Sequence, residues 1–216
     1  MHTVNLDGRN ITVGKIVCIG RNYAEHIKEL GNKTPEQPVI FMKPATAIVA
    51  SGGTVEIPAY SNDCHHEIEL AALIGKQAKG IRAEEALGHV AGYAVALDLT
   101  LRDVQNVQKA KGLPWEIAKA FDTSCPLSAF VPAEQITDPQ KLQLKLTVNG
   151  QVRQDGNTSD MMLSTAQLIA AVSTYFTLEE GDVLLTGTPS GVGRICSGDQ
   201  LQATIEQVGT LTVAVA

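Results

Sequence analysis

Three carboxylates are the residues of this sequence best suited to chemistry. Glu67 and Glu69 lie in the segment 65–70, and Asp98 ends an apolar run. Residues two apart on a β-strand point to the same face, so Glu67 and Glu69 would stand side by side. Like charges held together away from water need a proton or a cation to neutralise them, and divalent ions with oxygen ligands commonly do so. The sequence therefore predicts a metal site formed by Glu67, Glu69 and Asp98.

The oxygen-only donor set indicates which ion would bind. Three carboxylates leave about three positions of an octahedral ion open, which suits Mg²⁺ or Mn²⁺ holding water and a chelating substrate. Two alternatives remain open. The acids could lie at an exposed strand edge, where charge prevents aggregation. Zinc could bind at Cys64, His65 and His66, although three consecutive residues of a regular strand cannot all face one ion.

A second set of residues could supply acid–base chemistry. His26 and Glu29 are three residues apart on a predicted helix, where a carboxylate beside an imidazole raises its basicity. Lys119 is a cation in an apolar stretch, so it could form a Schiff base if burial lowers its pKa. If it stays charged, it could bind a carboxylate or an enolate. An ordinary surface ion pair and a surface lysine are the alternative interpretations.

The glycine-rich segment 186–193 follows a predicted strand but has neither P-loop nor dinucleotide-fold spacing, so nucleotide binding is not predicted. Its backbone N–H groups and the Thr188 hydroxyl could still hold a carboxylate. Cys125 has no adjacent base in the sequence and is predicted to be a buried structural thiol.

The elements that would position these residues are mostly strands. Apolar and alternating segments predict strands over 15–19, 39–42, 68–74, 93–97, 142–148, 183–185, 201–205 and 211–215. Helices are predicted over 22–30, 100–112 and 164–176, with Asn22 capping the first and a Thr100–Asp103 capping box starting the second. Strands that do not alternate regularly with helices predict a mixed α+β fold, mostly β, with peripheral helices.

Length and composition limit the classes of protein and partner. A chain of 216 residues and 22.9 kDa fits one core. A net charge of -6 without a basic stripe disfavours nucleic acid, and the sequence has no apolar run of the roughly 20 residues that span a membrane. Four widely spaced cysteines favour a reducing compartment, so a cytoplasmic location is predicted.

Several motifs together resemble the fumarylacetoacetate hydrolase family, in its small single-domain branch of acylpyruvate hydrolases and oxaloacetate decarboxylases. The resemblance runs from Lys15 to the C-terminus and implies a short lead over 1–14 and one catalytic domain over 15–216. The motifs are Gly-Arg-Asn-Tyr-Ala at 20–24, Lys-Pro-Ala-Thr-Ala at 43–47, His-His-Glu-Ile-Glu-Leu at 65–70, Leu-Asp-Leu-Thr-Leu-Arg-Asp-Val-Gln at 97–105, Lys-Gly-Leu-Pro-Trp at 111–115 and Thr-Gly-Thr-Pro at 186–189.

The resemblance also implies a β-sandwich roll with peripheral helices and a homodimer, and it assigns residue roles. Glu67, Glu69 and Asp98 would hold Mg²⁺ or Mn²⁺. His26 and Glu29 would activate water on a mobile helix. The remaining positions that match substrate-side cations and polar groups of the family are Arg21, Arg102, Gln105, Lys119 and Thr188.

The implied activity is metal-dependent chemistry on small 2-oxo acids through a metal-bound enolate, by acylpyruvate C–C bond hydrolysis, oxaloacetate decarboxylation or both. Oxaloacetate keto–enol tautomerisation, and isomerisation or decarboxylation of a dioate from aromatic degradation, are alternatives. A Schiff-base lyase using Lys119 is the rival among enzymes, and a non-catalytic metal- or ligand-binding module is the rival from another class. Arg194 stands where close relatives often have proline, which leaves the choice of substrate open.

Overall fold

A computed structural model describes residues 2–216, and strands outnumber helices in it. The strands are β1 (Thr3–Leu6), β2 (Arg9–Thr12), β3 (Lys15–Gly20), β4 (Val39–Pro44), β5 (Ile48–Ala50), β6 (Thr54–Val55), β7 (Cys64–His66), β8 (Ile68–Ile74), β9 (Val90–Leu97), β10 (Thr100–Leu101), β11 (Cys125–Leu127), β12 (Val131–Pro132), β13 (Gln143–Val148), β14 (Gln151–Asn157), β15 (Val183–Leu185), β16 (Gly193–Ile195), β17 (Gln200–Ile205) and β18 (Gly209–Val215). The eight predicted strands are all present, and their ends move by at most three residues.

The helices are short and lie around the sheets. They are α1 (Ala24–Glu29), α2 (Ala83–Ala86), α3 (Arg102–Lys111), α4 (Glu116–Lys119) and α5 (Thr165–Tyr175), with 3₁₀ turns at Ala45–Ala47, Leu87–His89, Ala133–Gln135 and Thr158–Asp160. The predicted mixed, mostly β fold with peripheral helices is confirmed.

The largest sheet has β8 and β9 at its centre, in the order β4-β3-β15-β8-β9-β11-β5, with β12 also paired to β9. Every residue of β8 is buried, because both faces of this sheet are covered. Ile68 and Leu70 pack into one hydrophobic core, and Ala71 and Leu73 pack into a second core on the opposite face. Glu69 alternates with Ile68 and Leu70, so it points to the second face near the start of β8.

A five-stranded sheet, β14-β13-β17-β18-β6, closes the first core as the other half of a sandwich. Leu144, Leu146 and Val148 of β13 face that core, while the residues between them are more exposed. Asn149 and Gly150 have φ angles of 51° and 77°, the left-handed conformation that a two-residue type I′ turn requires. Asn149-Gly150 after the alternating segment 142–148 predicts a hairpin, and the antiparallel pairing of β13 with β14 confirms it.

The N-terminal segment forms a β1–β2 hairpin that was not predicted. Its turn is Asp7-Gly8, with φ angles of 46° and 80°. Val4 and Leu6 are buried in the second core, which they help to close. The division into a lead and a catalytic domain stays a prediction.

Two predicted helix caps are wrong, because tertiary contacts use the side chains instead. α1 starts at Ala24, and the Asn22 amide bonds to the backbone of Leu163 and Thr186. Thr100 lies in β10 and donates to the Asp98 carbonyl, so α3 starts at Arg102 without a capping box.

The ends of the helices agree better with the prediction. Gly112 ends α3 in the left-handed conformation, as its position predicts. α5 has a capping box formed by Ser164 and Gln167. Its sequence predicts a packed apolar stripe of Leu168, Ile169, Val172 and Tyr175, of which the first three are buried and Tyr175 is exposed. Within residues 2–216, no helix combines the length and apolar character that crossing a membrane requires.

Candidate metal centre and active site

The three predicted metal ligands lie together at one end of the central strand pair. Glu67 separates β7 from β8, Glu69 belongs to β8, and Asp98 directly follows β9. The antiparallel register pairs Ile68 with Leu97, so Asp98 lies beside Glu67 and its N–H donates to the Glu67 carbonyl at 2.8 Å. One carboxylate oxygen from each of the three residues lies within 4.8 Å of the other two, and all three side chains are buried.

Three buried cations surround two of these carboxylates. Lys119 Nζ lies 2.8 Å from Glu67 Oε2 and 2.5 Å from Asp98 Oδ2. Lys43 Nζ lies 2.9 Å from Asp98 Oδ1, and the Arg102 guanidinium donates to Glu67 Oε1. Glu67 and Asp98 are therefore charge-paired inside the protein.

Glu69 has no such partner among residues 2–216. Its Oε2 accepts a hydrogen bond from the Gly187 N–H at 2.7 Å, and the residue is 1 % exposed. Burial raises the pKa of Glu69 well above its ordinary value, and repulsion from Asp98 and Glu67 raises it further. A divalent cation would relieve this repulsion, so the three-oxygen donor set fits Mg²⁺ or Mn²⁺.

The cations also determine the protonation of their partners. Burial alone would raise the pKa of Glu67, but Lys119 and Arg102 outweigh it and hold that pKa below its ordinary value. Burial alone would lower the pKa of Lys119, but Asp98 and Glu67 reverse the direction and raise it. Lys119 is therefore a charged donor at neutral pH, which argues against its use as a Schiff-base nucleophile.

Helix α1 carries His26 and Glu29 to the same site. His26 Nδ1 lies 3.4 Å from Glu29 Oε2, and Glu29 Oε1 accepts from the Gly191 N–H at 3.0 Å, so the helix is fastened to the glycine-rich turn. Burial lowers the pKa of His26, and the nearby Glu67 and Glu29 offset only part of this effect. A neutral imidazole with Nδ1 directed at a carboxylate leaves the Nε2 lone pair free, which is the arrangement of a general base.

These groups line a cavity of about 40 Å³. Arg102 donates to Gln105 Oε1 at 2.7 Å, which leaves the Gln105 amide N–H groups free. Thr188 Oγ1 accepts from Gln154 at 2.8 Å, which leaves its O–H free to donate. Of the ten residues predicted for the site, eight line the cavity: Arg21, His26, Glu67, Glu69, Arg102, Gln105, Lys119 and Thr188. The other two, Glu29 and Asp98, bond to residues of that set.

Three supporting residues were not predicted. Lys43 is 1 % exposed and pairs with Asp98. The sequence pattern that could have indicated it is its position two residues after the buried Phe41, on the same face of an apolar strand. Asn22 anchors the start of α1 through three hydrogen bonds. Gln154 accepts from Ile68 N–H and donates to Thr188, joining two parts of the site, and no pattern in β14 distinguishes it.

The alternative zinc site does not form. His65 Nε2 lies 3.0 Å from Asp63, and His66 Nδ1 lies 3.1 Å from Gln154. In the part of the chain that the structure describes, Glu67, Glu69 and Asp98 form the one cluster of at least three ligand atoms.

Cys125 is fully buried and burial raises the pKa of its thiol to about 12, which agrees with a structural role.

The glycine-rich turn holds carboxylates of the protein itself. Gly187 donates to Glu69, and Gly191 donates to Glu29, so these N–H groups are not available to a substrate.

Arg194 is exposed on β16 opposite His65 and does not line the cavity. An effect of Arg194 on the choice of substrate stays a prediction.

Comparison with known proteins agrees with this geometry. The family described as Fumarylacetoacetate (FAA) hydrolase C-terminal matches residues 15–216. The oxaloacetate tautomerase YcgM of Escherichia coli (strain K12) is 53% identical over 195 residues, which cover 90% of this chain and 89% of the relative. The mitochondrial oxaloacetate decarboxylase of Dictyostelium discoideum is 46% identical over 197 residues, which cover 91% of this chain and 90% of the relative.

A solved structure extends the comparison to the fold. The fumarylpyruvate hydrolase of Pseudomonas aeruginosa, in complex with Mn²⁺ and pyruvate, has a TM-score of 0.95 and 39% sequence identity, and the match covers 99% of this chain and 95% of that one. The predicted family resemblance is confirmed in sequence and in structure. The chain belongs to the fumarylacetoacetate hydrolase family.

Proposed function

We propose that this protein is a Mg²⁺- or Mn²⁺-dependent enzyme acting on small 2-oxo acids, and that keto–enol tautomerisation and decarboxylation of oxaloacetate are the reactions its site supports best. The observation that carries this proposal is a trio of buried carboxylates lining or adjoining a small cavity that also presents cations and a neutral histidine. Relatives named for these two reactions cover about nine-tenths of the chain.

Glu67, Glu69 and Asp98 would hold the metal. The bound ion would act as a Lewis acid toward the carboxylate and 2-keto oxygen of the substrate and so make the C3 protons more acidic. Arg102, Gln105 and Thr188 have donors facing the cavity and would orient the acid.

His26 would move the proton in tautomerisation. Its neutral imidazole would take a proton from C3 through Nε2, and Glu29 would stabilise the imidazolium that forms. The imidazolium would then give this proton to the 2-oxygen of the substrate, which yields the enol. The charged Lys119 donates to the oxygen on which negative charge develops. In decarboxylation the C3–C4 bond breaks instead, CO₂ leaves, and protonation of C3 gives pyruvate.

Hydrolysis of an acylpyruvate is the second candidate, favoured by the His26–Glu29 pair and by the similarity to a fumarylpyruvate hydrolase. His26 would take a proton from water, which attacks the C4 carbonyl, and the electron pair of the broken C3–C4 bond is protonated at C3. The cavity of about 40 Å³ is small, and α1 lines it through His26. Movement of α1 would therefore widen the site for any of these substrates.

The test is an assay of metal-stripped protein. Oxaloacetate in its keto and enol forms and one acylpyruvate are each followed with Mg²⁺, with Mn²⁺ and after exhaustive dialysis against a chelator. Turnover should disappear on dialysis and return with either ion, above a control containing the ion and buffer without protein. Equal rates in dialysed and resupplied protein would contradict the proposal.

The homodimer and the cytoplasmic location stay predictions. Self-association is supported by large apolar side chains that are exposed around α3 and α4, namely Tyr60, Val107, Leu113 and Ile117. Sedimentation analysis should give twice the mass of the chain, and a monomer at micromolar concentration would contradict the dimer.

A further inference from the structure

Two cations at the mouth of the cavity differ from those around the carboxylates. Arg21 and Lys109 both line the cavity, yet neither has a carboxylate within ion-pair distance among residues 2–216. By contrast, Lys119 and Arg102 are each paired with Glu67. We call Arg21 and Lys109 the distal cation pair.

One side chain holds the distal cation pair together. Asn32 Oδ1 accepts a hydrogen bond from the Arg21 guanidinium at 3.2 Å and another from Lys109 Nζ at 3.0 Å. A neutral amide oxygen is a weak partner for two charged donors, and a carboxylate forms stronger bonds with the same donors. The two charged donors therefore converge on one point, and a neutral amide oxygen occupies that point.

The electrostatics of the mouth agree with this interpretation. Partial burial lowers the pKa of Lys109, and the positive charges of Arg21 and Arg102 lower it further. These two residues come from different elements: Arg21 follows β3, and Arg102 starts α3. Positive charge is therefore in excess at this place, and an anion entering it would be stabilised.

Asn32 is also joined to the helix that carries His26. Gly31 lies just after α1 with a φ of 60°, and the Asn32 N–H donates to the Ile27 carbonyl of the helix at 3.0 Å. Movement of α1 therefore carries Asn32 away from the distal cation pair. An anion that bridges the pair and Asn32 would favour the position of α1 seen here.

We infer that the distal cation pair, positioned by Asn32, binds the carboxylate of the substrate that is farthest from the 2-keto group and so selects dicarboxylic 2-oxo acids over those with a neutral tail. This inference rests on the proposed function and adds Lys109 and Asn32 to its site. Lys109 touches the substrate in this scheme, and Asn32 is a positioning residue.

Oxaloacetate and pyruvate test the inference, because they differ by the one carboxylate in question. We expect Lys109→Met to raise the KM for oxaloacetate about 10-fold or more, since a charge-assisted hydrogen bond is lost. The inhibition constant of pyruvate, measured as a competitor, should change by less than about twofold because pyruvate has no distal carboxylate. Asn32→Leu should raise the same KM by a smaller factor, with kcat nearly unchanged.

The matched control is Lys111→Met, which removes an exposed lysine of the same helix that does not line the cavity. It should leave both constants unchanged. Asn32→Asp places a carboxylate between the two cations, so it should compete with the substrate and raise the KM for oxaloacetate more than Asn32→Leu does. Thermal unfolding and Mn²⁺ affinity, followed by electron paramagnetic resonance, should match the wild type in every variant.

Equal changes for oxaloacetate and pyruvate in Lys109→Met, or no change in either, would overturn the inference while leaving the proposed function intact. If the wild type with metal turns over no 2-oxo acid, the proposed function fails. In that case the distal cation pair is tested by binding alone, with oxaloacetate and pyruvate each titrated into Mn²⁺-loaded protein in a calorimeter. Wild-type protein must bind oxaloacetate more tightly than pyruvate, and equal binding would overturn the inference.

Discussion

The carboxylate centre and the lid that covers it are held by different forces. Glu69 is in the central sheet, and Asp98 directly follows β9, where a backbone hydrogen bond joins it to Glu67. The lid, which we define as α1 with the segment 30–38, is held by a few side-chain hydrogen bonds, chiefly from Asn22 and Glu29. The centre is part of the core, whereas the lid is attached to it.

Because of this difference, we expect the carboxylate centre to control metal binding and the lid to control entry of the substrate into the cavity. Buried ions in a sheet are costly to leave unpaired, so the ion pairs of Glu67 and Asp98 stabilise the centre only while both partners of each pair are present. A six-residue helix has little stability of its own and depends on its contacts, so it can open and close at modest cost. We therefore expect changes in the centre to affect stability and metal binding, and changes in the lid to affect turnover.

The largest effect should come from Asp98→Ala. It leaves the ammonium groups of Lys43 and Lys119 buried near Asp98's former position, so the free energy of unfolding should fall by about 3 to 5 kcal/mol and metal affinity should be lost. Glu69→Gln is the matched variant, because Glu69 has no cation partner among residues 2–216. It should also lose the metal, yet its metal-free form should melt at a higher temperature than wild type, since it removes repulsion. Calorimetry measures the unfolding of both variants. A similar loss of stability in the two would contradict the assignment of charge pairs.

The next effect concerns the lid. His26→Ala should lower acylpyruvate hydrolysis by about 10²- to 10⁴-fold, the usual contribution of a general base, and leave Mn²⁺ affinity unchanged. Equal loss of turnover and of metal binding would contradict the assigned role.

The pH dependence sharpens this test. The pKa of His26 is lowered, so the imidazole stays neutral below its ordinary pKa of 6.5 and activity should fall only as pH decreases through the lowered value. Glu29 raises that pKa, so in Glu29→Gln the acid limb of the kcat/KM profile should move to still lower pH. An acid limb above 6.5, or a shift in the opposite direction, would show that another group is being titrated.

The smallest effect tests the attachment of the lid to the centre. Gly187 has a φ of +98°, and a Cβ there would lie 2.8 Å from Asn22 Cβ, so Gly187→Ala should cost about 1 to 3 kcal/mol of stability and displace α1. Gly80→Ala is the control, because Gly80 also has a positive φ, +62°, but open space around it. Measurements of urea unfolding and of kcat should distinguish Gly187→Ala from Gly80→Ala. A loss of kcat in Gly80→Ala equal to that in Gly187→Ala would show that backbone strain alone, and not contact with Asn22, is responsible.

Local pattern was sufficient for much of the fold. Alternation predicted β13, the apolar run 68–74 predicted β8, and Asn149-Gly150 predicted the hairpin turn between β13 and β14. These signals depend only on neighbours in the sequence. The caps at Asn22 and Thr100 were wrong for the opposite reason. Polar side chains of this size bond either to a helix end or to a distant backbone, and only the tertiary structure decides which.

The same limit applies to the site. Spacing placed Glu67 and Glu69 on one face, and the local sequence singled out Asp98, His26, Glu29, Lys119 and Thr188 as candidates. Resemblance to a family added Arg21, Arg102 and Gln105. Lys43 was missed because its partner, Asp98, is 55 residues away and no local pattern joins them. Asn32 was missed because its partners are Arg21, which follows β3, and Lys109 of α3, and the two meet it only after α1 folds over the cavity.

The sequence by itself determined the strand pattern and which acids share a face, since both follow from the two-residue period of an extended chain. The tertiary structure decided how the charges are distributed among those acids. It paired Glu67 and Asp98 with lysines and an arginine. Within the described residues 2–216, it gave Glu69 no cation partner and placed Arg21 and Lys109 at the cavity without a carboxylate partner. The reason is physical: the stability of a buried charge depends on the atoms within a few ångströms, and folding brings those atoms from distant parts of the chain.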